Sequence, residues 1–501
     1  MRRPIIAILA AAALLAGCSS APRPQALKAG ESDRAGVGAT TDSDGDGIVD
    51  SDDEAPDTPA ARNPDGTPIT GGPGTPGSPG VTGPVNQPGT PGTPGTPGTP
   101  GTPGTPGGFQ ITDAKLFSGS ANTRGITKTE IRLCGHAALI FAQAFDTRPE
   151  DINVYWDWIN KHQGGIYGRK VSVHYNDDRY DGPAAKDAAI NCQTRNPFMI
   201  LGGIGFDQIP TVRTWAEEQK ELYLHHIAVA KGGENLQYSF TMQPSVEETG
   251  RAFGEFISKK HHGKSIGIVY RESENWEPGR AAAKAVLQAR GERIVREAPV
   301  QKNQSAYSSQ IVALQQADGG KGAEVVFLWE NALGAAEFIK QSHNQGYSPV
   351  FVVFPFQTSL DVIGDDAMKS PIQGLGTWPA FKPGGYGGAF PEHDYEKELA
   401  AFQAAFRELR GNVKPNDILW QVWLGYKQLH DMFLLCGPDC TRNRFAGLML
   451  SGYKATVKPN CMVDFTRNRH RGANQFISLE AYKPGDTPYF RTTQWCTANP
   501  G

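Results

Sequence analysis

From Gly125 onward, short apolar runs alternate with stretches whose apolar residues recur every three or four positions, the signature of strands alternating with amphipathic helices. Ile131–Cys134 reads as a strand, 151–161 as a helix with Ile152, Tyr155, Trp156 and Ile159 on one face, and 170–175 as the next strand. A helix near Pro183, a strand over 198–202, a helix over 209–220 and a strand over 223–230 continue the rhythm. It restarts after Gln243-Pro244, with helices expected over 247–259, 279–289, 307–316 and 332–344 and strands over 265–270, 293–299, 323–329 and 350–354. Two further helices, 395–409 and 420–435, follow residue 376. The pattern predicts an α/β protein of two lobes, each a mostly parallel sheet flanked by helices. Residues 125–245 and 376–460 are expected to form lobe 1, and 246–375 and 461–501 lobe 2, with the chain crossing between them more than once.

The first quarter has a different texture. Arg2 and Arg3 precede an apolar run from Ile5 to Leu15, too short to span a bilayer, which reads as an export signal over 1–17. The run ends Leu15-Ala16-Gly17-Cys18 and resembles the bacterial lipoprotein box, which implies lipidation of Cys18 as the mature N-terminus. Residues 18–107 contain almost no large apolar side chains and are expected to be a disordered tether. Within it, residues 42–53 set Asp42, Asp44, Asp46, Asp50 and Asp53 at positions 1, 3, 5, 9 and 12, with Gly47 at the turn. That is the oxygen spacing of a calcium loop, and it resembles thrombospondin type 3 repeats. No helix-forming sequence flanks the loop, and Asp53 stands where a bidentate Glu is usual; the plain alternative is a solvated acidic run. From Gly71 to Gly107 the chain is mostly Gly, Pro, Thr and Ser, with six Gly-Thr-Pro triplets running from Gly89 to Pro106. Six triplets are few for a collagen trimer, whereas a polyproline II spacer of this length reaches on the order of 100 Å.

Composition narrows the function. The 501 residues carry a net charge of −3, which supplies no basic field for a nucleic-acid backbone. Residues 19–107 hold most of the acidic excess, so the globular part is close to neutral. An exported chain folds where disulfides persist, and six cysteines besides Cys18 permit fifteen pairings. Proximity favours Cys436 with Cys440 and Cys461 with Cys496, leaving Cys134 with Cys192. A zinc site at Cys436 and Cys440 has only His430 as a nearby supplement.

The segments Gly125-Ile126-Thr127, Glu130-Ile131-Arg132, Ile159-Asn160, Gly164-Gly165-Ile166, Gly168-Arg169-Lys170, Asp177-Asp178, Tyr180-Asp181 and Leu201-Gly202-Gly203 are spaced as in the opening of the type I periplasmic binding proteins. The chain resembles their branched-chain amino acid class from about residue 125 to 435. The resemblance implies two hinged lobes that close on a small ligand, amino-acid-like or aromatic, and leave it chemically unaltered. It also implies delivery to the permease of an ABC transporter from the outer face of the cell membrane, by a monomer without a required cofactor, calcium in the tether aside.

In open parallel sheets, ligands meet the loops after the strands. This nominates His136, Ala137, Gly205, Phe206, Asp207, Ala228 and Val229 in lobe 1, and Tyr270, Glu272, Trp276, Trp329, Glu330, Asn331, Phe356 and Gln357 in lobe 2. Phe206 and Ala228-Val229 stand where amino acid binders of the family place Ser or Thr for the ligand carboxylate. Trp276, Trp329 and Phe356 could stack on a flat ligand while Asp207 and Glu330 pair with a cation; core packing is the alternative for each aromatic, and a hydrogen-bonded loop role for His136.

An enzyme finds little support. There is no Gly-x-Ser-x-Gly elbow and no Gly-x-x-x-x-Gly-Lys-[Ser/Thr] loop, and residues 203–208 lack the third glycine of a dinucleotide fingerprint. His225-His226 and His261-His262 are adjacent, so their side chains diverge and make poor metal pairs. The rival from another class is a ligand-sensing or surface-interaction lipoprotein that uses the same fold without transport.

Overall fold

The computed structural model describes residues 109–139, 147–226, 236–364, 369–381, 393–472, 475–481 and 490–500. Cys18, the loop from Asp42 to Asp53, the rest of the tether, and Ala228 and Val229 lie outside the described residues.

The first sheet is built from β1 (Glu130–Ala137), β2 (Lys170–Asp177), β3 (Met199–Gly202), β4 (Tyr223–His225) and β5 (Ser239–Thr241). Its order is β2-β1-β3-β4-β5 and every neighbouring pair is parallel. The crossover helices are α1 (Pro149–Ile152), α2 (Val154–His162), α3 (Gly182–Thr194) and α4 (Ile209–Gln219). The expected single helix over 151–161 is divided at Asn153, whose side-chain amide donates to the carbonyl of Val173 at 2.8 Å and ties the helix start to β2.

The second sheet follows α5 (Val246–Lys260). It contains β6 (Ser265–Arg271), β7 (Arg293–Val300), β8 (Val325–Trp329), β9 (Val350–Phe354) and β10 (Ile372–Gly376), with α6 (Glu277–Ala289), α7 (Ser308–Gln315), α8 (Ala317–Gly320), α9 (Ala332–Asn344) and α10 (Phe356–Ile363) between them. The chain then runs through α11 (Tyr395–Arg410), α12 (Asp417–Cys436), α13 (Arg442–Leu450) and the short pair β11 (Lys454–Ala455) and β12 (Val463–Asp464). It returns to the second sheet as β13 (Phe476–Ala481) and β14 (Phe490–Thr497), giving the order β14-β13-β10-β9-β8-β6-β7. Strand β13 runs antiparallel to both of its neighbours, β10 and β14.

Burial follows from the patterning. All five residues of β8, Val-Val-Phe-Leu-Trp, are buried, as a central parallel strand covered on both faces requires. Helix α12 inserts Trp420, Leu424, Tyr426, Leu429 and Phe433 into the first core, where they meet Trp156, Phe198 and Phe402 from the rest of that lobe. The segment 109–117 is sewn to α13: Ala114 donates its amide to the Asn443 carbonyl at 2.9 Å, and Asn443 Oδ1 accepts from the amides of Leu116 and Phe117.

Three disulfides join Cys134 to Cys192, Cys436 to Cys440 and Cys461 to Cys496. The first ties β1 to α3, the second closes the turn after α12, and the third links the segment before β12 to β14.

The chain passes between the two sheets three times, and the passes lie side by side. Thr377 Oγ1 donates to Gln243 Oε1 at 2.6 Å, Thr241 donates its amide to the His470 carbonyl and Gly472 donates its amide to the Thr241 carbonyl, both at 2.9 Å. Three adjacent strands of backbone form the joint about which two such lobes rotate.

Candidate functional site

The carboxyl ends of the two sheets face one another, and a cavity of about 220 Å³ lies between them, lined by Arg179, Tyr180, Asp181, Arg271, Lys302, Asn303 and Asn331. Arg179 to Asp181 form the turn from β2 to α3, Arg271 ends β6, Lys302 and Asn303 follow β7, and Asn331 caps α9. Each lobe thus contributes strand ends to one chamber, the placement that open parallel sheets give their ligand sites.

The first lobe's wall is held from behind. Arg179 and Tyr180 both adopt left-handed backbone, φ 52° and 56°. Their amides donate to Asp177 Oδ1 at 3.1 Å and Asp178 Oδ1 at 2.9 Å, which offsets the conformational cost. Asp178 is itself fully buried and accepts from His136 Nδ1 at 2.8 Å and from Gln208 Nε2 at 3.1 Å. The other nitrogen of His136, Nε2, lies 2.9 Å from the hydroxyl of Tyr223. His136 therefore buttresses the wall from inside the core and is fully inaccessible to solute. Ala137 is buried beside it, and its carbonyl accepts the Asp178 amide at 2.9 Å.

Asp207 ties the lobes together. Its Oδ1 accepts from Trp276 Nε1 at 2.7 Å, its Oδ2 from Arg271 Nη1 at 3.1 Å, and its backbone carbonyl from Asn275 Nδ2 at 3.1 Å. Arg271, 2% exposed, also lies 2.9 Å through Nε from Glu330 Oε1. Burial pushes the Glu330 carboxyl up to about 7, against the opposing pull of Arg271. Phe206 packs on Trp276 with ring centroids 4.5 Å apart, and Gly205 holds the loop at φ 131°, where a Cβ would meet the Gln208 amide at 1.8 Å.

The aromatic residues nominated as a stacking wall lie in the packed interior. Trp276, Trp329 and Phe206 belong to one buried cluster with Phe253, against which the half-buried Phe354 packs; Trp329 donates its indole N–H to the Trp276 carbonyl at 2.8 Å, and Phe356 is fully buried in a neighbouring core. Tyr270 is half-buried, its ring under the guanidinium of Arg280 at 4.6 Å, and Glu272 pairs with Gln301. None of these residues lines the described cavity; of the nominated loops, only Asn331 does.

The cations Arg179, Arg271 and Lys302 were not among the nominated residues. The strand-end rule applied to β2 and β7 finds two of them. The expectation stopped at the strands the resemblance emphasised, and lone surface cations in loops read as solvated charge. Among the described residues no cluster of His, Cys, Asp and Glu could hold a metal ion, and no helix is long and apolar enough to cross a membrane.

The family profile described as periplasmic binding protein matches residues 152–483. No curated protein matches the chain in sequence. Similar solved structures include a substrate-binding periplasmic protein from Ralstonia solanacearum, 18% identical, TM-score 0.58, covering 72% of this chain and 100% of that one. A branched-chain amino acid transporter substrate-binding protein from Streptococcus pneumoniae, in complex with isoleucine, is 13% identical with TM-score 0.57, over 73% of this chain and 99% of that one. A fatty acid ABC transporter substrate-binding protein from Thermomonospora curvata is 13% identical with TM-score 0.57, over 77% and 95%. At these identities the likeness speaks to fold, whereas the profile covers well over half of the sequence. Two mostly parallel sheets, three adjoining crossings and strand ends facing across a chamber are thus the architecture of a solute-binding protein, and the chain belongs to the periplasmic binding protein family.

Proposed function

We propose that this protein is a membrane-anchored, extracytoplasmic solute receptor that captures a small organic molecule between its lobes without transforming it and delivers it to an ABC transporter. The observation that carries the reading is the polar chamber between the carboxyl ends of the two sheets, walled by both lobes and bridged at its edge by Asp207 and Arg271. Residues 125–245 with 376–460 form the first lobe in this reading, and 246–375 with 461–501 the second. The export signal, the Cys18 box and the long spacer support anchoring: lipid contributes about 0.8 kcal/mol per buried methylene, and a semi-rigid tether holds the receptor clear of the bilayer. The acidic loop from Asp42 to Asp53 is read as a calcium site that stiffens this tether.

A thermal-shift screen of the full chain over amino acids, amides, aromatic acids, carboxylates and polyols tests capture. A ligand at 100 times its dissociation constant adds about 2.7 kcal/mol of stability. A shift with one solute class, recovered unchanged after incubation, is expected; conversion of the solute to a product, or no shift with any class, overturns the reading. Cys18→Ser is expected to move the protein from the membrane to the soluble fraction, and retention at the membrane overturns anchoring through that cysteine.

A further inference from the structure

We infer that the solute held in this chamber is a small organic anion, gripped by Arg179 from one lobe and Lys302 from the other; the inference rests on the solute-capture reading above. Three of the seven lining residues are cations and one is a carboxylate. That carboxylate, Asp181, is committed as the N-cap of α3, where its Oδ1 accepts from the Ala184 amide at 3.0 Å. Arg271 is already shared between Asp207 and Glu330. Arg179 and Lys302 line the chamber, are exposed, and have no carboxylate partner among the described residues.

Backbone electrostatics point the same way. The caps of two thirteen-residue helices, Asp181 of α3 and Asn331 of α9, line the chamber, so two helix N-termini place their positive ends there. Asn331 spends its side-chain oxygen on the Gly334 amide at 2.8 Å, which leaves its NH2 group to donate. The lining is thus rich in donors, with three cations against one carboxylate that already serves a helix N-terminus. An amino acid zwitterion would bring its carboxylate to a good site and its ammonium to a poor one, whereas an anion has no such conflict. At about 220 Å³ the chamber is below the roughly 300–1,000 Å³ of pockets for drug-sized ligands, which limits the guest to a small metabolite.

Position adds a consequence for motion. Arg179 and Lys302 belong to opposite lobes, so an anion between them is held by both only when the lobes are together, and its binding energy favours closure.

The test uses the full chain and its R179Q, K302Q and double variants, with succinate, glutarate and inorganic phosphate as anionic probes, succinamide as the neutral isostere and leucine as the zwitterion. Both substitutions fall on exposed side chains, and unliganded melting temperatures within a degree of the parent establish folding. Without one charge-assisted hydrogen bond, each single variant is expected to show a dissociation constant raised about tenfold, and the double variant one raised on the order of 100-fold. Binding of at least one anion with that weakening, and none of succinamide, supports the inference. Binding of succinamide or leucine alone, equal in all four proteins, overturns the anion and leaves solute capture standing. An anion bound equally by all four proteins overturns the site. Silence from every probe overturns the inference, and silence across the broader screen overturns the capture reading with it.

Discussion

Two adjacent histidines at the end of β4 are held neutral by their surroundings. His225 and His226 are both fully buried, neither ring nitrogen of His225 has a hydrogen-bond partner among the described residues, and the His226 ring stacks on Tyr426 at 5.2 Å. Burial, reinforced by Arg213 and by the neighbouring His226 and His136, holds His225 well below the ordinary histidine range, and burial brings His226 down to about 3. In the unfolded chain both protonate near 6.5. Between 6.5 and about 3 the unfolded state therefore binds more protons, and stability falls as pH drops, by about 1.4 kcal/mol per pH unit per histidine. The melting temperature is expected to decline on acidification below about 6.5, and His226→Phe, which keeps the stack, is expected to make the decline shallower; an unchanged slope contradicts the assignment. Glu330 acts in the opposite sense. Its folded value of about 7 lies above the ordinary 4.5, so the stability it contributes is fully present below 4.5 and lost as pH rises towards 7. Glu330→Gln is expected to remove that loss, read as a steeper fall of the melting temperature on acidification between about 6.5 and 4.5, the range in which Glu330 offsets the two histidines.

At the scale of the element, α5 and α6 pack so closely that glycine is required where they cross. A Cβ on Gly250 would stand 2.0 Å from the Gly279 carbonyl oxygen, and one on Gly279 would stand 2.2 Å from the Trp329 ring. Gly250→Ala is expected to cost about 3 kcal/mol through forced separation of the helices, visible as a melting temperature lower by several degrees. At the start of α5, Ser245 Oγ accepts the Glu248 amide and Glu248 returns a carboxylate oxygen to the Ser245 amide. Ser245→Ala is expected to cost about 1 kcal/mol in denaturant unfolding. These elements were legible in the sequence because their signals are local: α9 and β9 begin and end where periodicity places them, and Asn331 and Pro349 punctuate them. The return strands β13 and β14 were not, because β13 pairs with β10 about a hundred residues earlier and no turn signal announces so distant a partner. Site residues divide in the same way. Asp207 and Arg271 meet only when the lobes are assembled, and the aromatics of the second lobe serve the crossing of α5 over α6, a packing need that strand-end reasoning does not register.

For the whole molecule, Asp207 decides how the lobes rest. It spans them through Trp276 and Arg271, so Asp207→Ala is expected to shift the unliganded ensemble about tenfold toward open forms. A larger radius of gyration in solution scattering and red-shifted tryptophan emission are the expected readouts, and superimposable scattering profiles contradict the role. Mechanical loading follows from where the chain joins the fold. The stitches from 109–117 to α13 fasten the entry segment to the same body as the first sheet and leave the second sheet unburdened. Tension arriving along the preceding chain is therefore borne by one jaw only, and the other stays at liberty to swing: a pull on the leading end does not pry the two halves apart.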